Sequence, residues 1–212
     1  MTSSKDWHRW HEPYEDPCSP LSRRLRIVQA HLHRELDRRP REPIRVLSVC
    51  AGQGRDLIPV LASRADAGRV RAFLLDYDER NAGAAAAAAR AAGLSGVDVL
   101  VRDAGDRASY AGLVPADVIV LAGVLGNVAD ADVRRTVAAL PGLCAPGAAV
   151  VWTRSRRPPD LTPAVRAWFA EAGFVEEAFD APEDVLFSVG LHRFAGEPQP
   201  LAPGRRLFSF AG

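Results

Sequence analysis

The chain has 212 residues, 48% apolar and 25% charged, with a formal net charge of +1. That is enough for one α/β domain with a sizeable core, and it leaves no global basic field to argue for a nucleic-acid partner. No apolar run is long enough for a membrane span, the stretch Met1 to Trp7 lacks the apolar region of a signal peptide, and Cys18, Cys50 and Cys144 show no CxxC spacing. No membrane partner, disulfide framework or metal site is expected, and the expected compartment is cytoplasmic.

Residues 1–20 crowd Trp7, His8, Trp10, His11 and Tyr14 ahead of Pro17 and Pro20. Aromatic residues are depleted in disordered tails, so this segment reads either as an arm packed on the surface or as a lid over a site. From Ser19 to Arg38, Leu21, Leu25, Val28, Leu32 and Leu36 recur at spacings of three and four, which predicts a helix capped by Ser19-Pro20. His31 and His33 read as surface and boundary residues of that helix.

A β-branched run, Ile44 to Cys50, then predicts a buried strand, followed by Ala51-Gly52-Gln53-Gly54 and a helix to about Arg64. Strands follow at 70–75, 97–102, 116–122 and 148–153, with helices at 79–92, 130–140 and 162–172, and a turn at 144–147. The Ala84–Ala89 run favours helix strongly. Strands and helices in alternation imply right-handed crossovers and a parallel sheet covered on both faces. The short connection between Phe174–Phe179 and Val185–Phe194 forces those two strands to be antiparallel. The predicted fold is therefore α/β: a Rossmann-like, seven-stranded, mostly parallel sheet with a closing antiparallel hairpin, flanked by helices and preceded by a helical arm. The expected units are an arm and helix over 1–43, a binding domain over 44–194 and a docking tail over 195–212.

Ligands of an open α/β sheet bind beyond the carboxyl ends of its strands. Those ends carry Ala51, Gly52, Gln53 and Gly54 after the first strand, Asp76 and Tyr77 after the second, Asp103 and Ala104 after the third, and Gly123 after the fourth. The glycine turn brings backbone N–H groups to a ligand. An acid 22 residues after Gly54 is placed to accept from a ribose diol, and Asp103-Ala104 from an adenine amino group.

In this order, Ser48 to Gly54, Leu75-Asp76-Tyr77-Asp78, Arg102-Asp103-Ala104 and the closing hairpin resemble a class I S-adenosylmethionine (SAM)-dependent methyltransferase, over about Arg45 to Phe194. The aromatic arm and the run Arg156 to Pro163 resemble a small bacterial subgroup. The resemblance implies SAM as cofactor. Two positions depart from it. Ser48 stands where the family usually has an acid and Cys50 where it has a glycine, so Cys50 is expected at a φ open to a residue with Cβ.

The expected reaction is in-line methyl transfer to a small-molecule acceptor, with a general base only where the nucleophile must lose a proton. His11 and Tyr14 are the candidate catalytic residues of the arm, with His192 and His8 behind them, and the resemblance implies a third candidate in Asn127, beyond the fourth strand, where the family places a residue facing the transferred methyl. Trp10, Arg154 and Arg156 are candidates for binding the acceptor, the arginines through a carboxylate or phosphate. A homodimer is the assembly to be tested. Two alternatives stay open: a catalytically inactive SAM-fold binding or regulatory protein, which Ser48 and Cys50 keep alive, and a nicotinamide-dependent oxidoreductase. Against the second, Leu57 stands where a GxGxxG needs its third glycine.

Overall fold

A computed structural model describes residues 6–7, 9–40, 42–201, 204 and 206–210, with Trp10 described by its backbone alone. His8 lies outside the described residues. Among the described residues, five α-helices, α1 Pro20–Asp37, α2 Ile58–Ala62, α3 Glu79–Ala91, α4 Asp130–Ala139 and α5 Thr162–Glu171, flank seven strands. The strands are β1 Ile44–Val49, β2 Val70–Asp76, β3 Val97–Val101, β4 Ala116–Leu121, β5 Cys144–Ser155, β6 Phe174–Asp180 and β7 Phe187–Phe194. They run in the order β3-β2-β1-β4-β5-β7-β6. The first five are parallel, and β7 is antiparallel to both β5 and β6.

The inner strands are largely apolar because both faces are covered, and Arg45, Arg71 and Asp117 fall near their first residues. Leu47, Ile119, Val150 and Trp152 enter one core layer, beneath α4 and α5. Val46, Leu74, Val118 and Val151 enter the other, beneath α1, α2 and α3. Chain order crosses from one side of β1 to the other between β3 and β4. That crossing is the switch point at which α/β folds hold ligands.

Local chemistry accounts for several element ends. The Ser19 side chain accepts from the Ser22 N–H at the start of α1, and Asp78 accepts from Arg80 and Asn81 at the start of α3. Three expectations differ from the structure. The helix expected after Gly54 shrinks to five residues, because residues 54–57 form turns first. The turn expected at 144–147 lies within β5, where the pairing with β4 shifts register. His31 is buried rather than on the surface, with Nε2 2.7 Å from the Asp180 carboxylate. α1 packs on the hairpin there, and the same contact buries Glu35 against Arg193 at 2.7 Å.

Candidate active site

At the carboxyl ends of β1–β4 lies a cavity of about 720 Å³, within the usual range for small-molecule sites. Its floor holds Ala51, Gly52, Asp76, Ala104 and Gly123. Trp7, His11 and Tyr14 of the N-terminal arm and Arg206, Ser209 and Phe210 of the C-terminal segment complete its wall.

The floor is organised by Asp76, the last residue of β2. The N–H of Gly52 donates to its Oδ2 across 2.7 Å, and the N–H of Asp78 donates to its Oδ1 across 2.9 Å. Burial raises the Asp76 carboxyl above its ordinary value against the pull of these two N–H groups. Each oxygen takes one of these backbone bonds, and a carboxylate offers about four acceptor sites, so vicinal hydroxyls still find acceptors there. A nucleoside therefore fits the donor set.

Gly52 sits at φ +56, in the left-handed region. A Cβ on Gly52 would lie 2.3 Å from His11 Nε2, so the ring closes directly on bare backbone. Cys50 also holds a left-handed conformation, at φ +53. That region is open to a residue with Cβ, though at a steric cost that a glycine would not bear. Burial pushes its thiol well above the usual range, with Asp76 and Asp103 adding to the effect.

The arm forms a 3₁₀ segment at Arg9–Glu15. His11 is buried, and its Nδ1 lies 2.8 Å from the Trp7 carbonyl. A carbonyl only accepts, so Nδ1 carries the proton and the lone pair of the neutral ring is on Nε2, toward Gly52. The Tyr14 hydroxyl accepts from Arg24 Nη2 at 3.0 Å, and the Arg55 guanidinium lies 5.4 Å from the Tyr14 ring centroid. Burial raises the Tyr14 hydroxyl, with Arg24 opposing.

On the opposite wall, Asp103 Oδ1 accepts from the Gly105 N–H at 2.9 Å and Oδ2 from Arg206 at 2.7 Å. The Leu207 N–H donates to the Gly105 carbonyl at 2.8 Å, and Leu207 and Phe208 are buried. The Phe210 and Trp7 ring centroids are 4.9 Å apart, so the two ends of the chain meet across the cavity mouth.

Several predicted site residues stand elsewhere. Gly54 at φ +72 is needed for packing, since a Cβ there would lie 2.4 Å from Ile58 Cδ1. Gln53 turns its Oε1 to the Arg55 Nε at 2.9 Å. Neither lines the cavity. Asn127 does not face the reaction space. Its Nδ2 donates to the Gly123 carbonyl at 2.7 Å, tying the loop after β4 to itself. Arg154 donates to the Leu125 carbonyl and pairs with Asp130. Arg156 donates to the carbonyls of Pro182 and Val185. Both arginines brace backbone that has no strand partner, and neither reaches the cavity. His192 is buried in the far core layer, stacked on Phe169, and accepts from Trp152 Nε1 at 3.0 Å.

The sequence reading missed Asp56 and Arg55, which line the wall beside Tyr14. Burial pushes the Asp56 carboxyl up to about 6. Their position directly after Gly54 was the available signal, but a charged pair at the start of a helical pattern reads as solvated. Among the described residues, no cluster of His, Cys, Asp and Glu could hold a metal ion, and no helix is long and apolar enough to cross a membrane.

The family model described as "Putative methyltransferase" matches residues 22–172, more than half of the chain. No curated protein matches the sequence. Among solved structures, magnesium protoporphyrin IX methyltransferase (ChlM) from Synechocystis PCC 6803 with bound SAM superposes at TM-score 0.67 and 14% identity. The match covers 90% of this chain and 91% of that one. A possible exported protein from Bordetella parapertussis superposes at TM-score 0.60 and 22% identity, over 81% of this chain and 67% of that one. The DszA carbon methyltransferase superposes at TM-score 0.68 and 17% identity, over 88% of this chain and 57% of that one. At these identities the likeness is one of fold, the Rossmann-like fold of class I methyltransferases, and the family match goes further: the chain belongs to this methyltransferase family.

Proposed function

We propose that the protein methylates a small-molecule acceptor inside the cavity walled by its arm and C-terminal segment. The observation that carries this reading is the closeness of His11 to Gly52, which puts an imidazole lone pair beside the turn at the end of β1. A cavity of about 720 Å³ with an aromatic mouth suits a small acceptor better than a polymer.

When bound, SAM supplies a sulfonium carbon that a nucleophile can attack. The chain supplies orientation and exclusion of water. Asp76 accepts the ribose hydroxyls, and Gly52, Ala51 and Gly123 leave room for the backbone to approach. Asp103 and Ala104 face the base, with Tyr77 beside it. His11 Nε2 takes the proton of an acceptor that must lose one, and the Tyr14 hydroxyl orients that acceptor. Asn127 acts by holding the Gly123 loop in place. Residues 1–43 work as the cap, 44–194 as the catalytic domain and 195–212 as the second half of the closure. All three cysteines are free thiols, which supports a cytoplasmic setting.

The test is methyl transfer from radiolabelled SAM to size-fractionated cell extract. Label recovered in the low-molecular-weight fraction supports the reading. Label recovered only in RNA or protein refutes it.

A further inference from the structure

A second cavity, of about 480 Å³, lies between α1 and the end of β6 and shares no lining residue with the first. Arg23, Arg26 and Arg34 line it against one acid, Asp180. The arginines share a face of α1 because the span from Arg23 to Arg34 is about three whole helical turns. Arg26 and Arg34 stand about 12 Å apart along the helix axis, at opposite ends of the cavity. Ala30 lies between them, and its small side chain leaves the space open.

The charges here are unevenly matched. Arg23 holds Asp184 at the rim with two bonds, of 2.6 and 3.1 Å. His31 is buried, and its Nδ1 accepts from Arg34 Nη2 at 2.8 Å. The ring proton is therefore on Nε2, which donates to Asp180 at 2.7 Å. Arg26 Nη1 donates to the Pro17 carbonyl at 2.8 Å. Three arginines thus meet two acids, Asp180 and Asp184, and one positive charge is in excess. Neither Arg26 nor Arg34 forms an ion pair among the described residues; each is tied by a single N–H to a neutral acceptor. A neutral tether holds a guanidinium in place without cancelling its charge, and each guanidinium keeps N–H donors for a ligand. Cations lining one concave space also raise the local concentration of anions.

We infer that this second cavity binds the diphosphate group of a small molecule, with Arg26 and Arg34 as its receptors, one for each phosphate. A guanidinium matches phosphate oxygens through paired, charge-assisted N–H···O bonds, and a diphosphate offers such oxygens at both ends. The assignment does not depend on the SAM reading of the first cavity.

The test is calorimetry on the full chain with pyrophosphate and, separately, with inorganic phosphate, at physiological salt. The variants are Arg26→Met and Arg34→Met, singly and together, and Arg55→Met, which removes a cation from the first cavity. Thermal melts are the folding control. One equivalent of pyrophosphate should bind the wild type, at least tenfold more tightly than inorganic phosphate does. The double variant should melt like the wild type and lose tenfold or more of that affinity, each single variant should lose at least threefold, and Arg55→Met less than twofold. The single variants decide the matter if the double variant melts early. Absence of saturable pyrophosphate binding, equal affinity for the two anions, wild-type affinity in the single variants or an equal loss in Arg55→Met would each overturn the assignment.

Discussion

The backbone N–H of Gly52 donates to the Asp76 carboxylate across 2.7 Å, so the turn after β1 and the acid ending β2 are one unit. Asp76→Ala removes the charged acceptor and leaves the N–H groups of Gly52 and Asp78 without their partner. Binding of S-adenosylhomocysteine should weaken by about 2 kcal/mol, roughly 30-fold, as read by calorimetry. An unchanged Kd would show that the ribose lies elsewhere.

Gly52→Ala places a Cβ at φ +56 and 2.3 Å from His11 Nε2. The imidazole must leave, taking the Arg9–Glu15 segment with it. Limited proteolysis should then cut the arm faster than in the wild type, and S-adenosylhomocysteine affinity should fall by about 1–3 kcal/mol. An arm as resistant as the wild type would mean that the ring and the turn are not in contact in solution.

The cysteines should differ sharply toward iodoacetamide at pH 8. Cys18 is exposed, burial pushes Cys144 up to about 12, and Cys50 is held well above its ordinary range. Mass spectrometry of the native chain should find label on Cys18 alone. Rapid labelling of Cys50 would contradict its burial against Asp76 and Asp103.

Two buried groups set opposing acid responses. His192, facing Trp152, Phe169, Glu176 and Arg166, is held down at about 4 by burial against an ordinary 6.5. The unfolded chain takes up this proton first, so the group contributes stability that is full above pH 6.5 and lost as pH falls toward 4. Asp56, facing Tyr14 and Arg24, has its carboxyl raised by burial to about 6 from an ordinary 3.8. Its contribution has the other sign: it is full below pH 3.8 and lost as pH rises through 6. Asp56→Asn should therefore stabilise the protein at pH 7.5 by about 1–2 kcal/mol, a rise in Tm of roughly 2–6 °C. From pH 6.5 to 4.5 its Tm should fall more steeply than that of the wild type, because only the His192 response remains. An unchanged Tm at pH 7.5 would show that the carboxylate is hydrated without cost.

The C-terminal segment is held by apolar burial more than by charge. Arg206 and Asp103 pair at 2.7 Å, but both side chains are more than 40% exposed, so Arg206→Ala should cost less than about 0.5 kcal/mol in urea unfolding. Phe208 is only 2% exposed, and Phe208→Ala should cost about 3–4 kcal/mol. Equal costs would mean that the ion pair, not the ring, seats the segment.

The strand ends around the site were readable because each inner strand is a largely apolar run followed by a small or acidic residue. Asp76 and Gly52 announced themselves through that regularity. Asp56 did not, because a charge after a glycine turn looks solvated until Tyr14, Arg24 and Arg55 are known to cover it. Arg154 and Arg156 misled for the converse reason. Loop arginines look free until the carbonyls of Leu125, Pro182 and Val185 are seen to need donors.

By itself, the amino-acid order determined the sheet, its closing hairpin and the row of strand ends where a nucleoside can lie, since these follow from local periodicity and from the handedness of βαβ crossovers. Only the tertiary structure decided which polar groups are spent on the protein and which face the ligand. Hydrogen-bond satisfaction is settled between residues far apart in the chain: Gly52 with Asp76, Asp103 with Arg206, and Asp56 with none among the described residues.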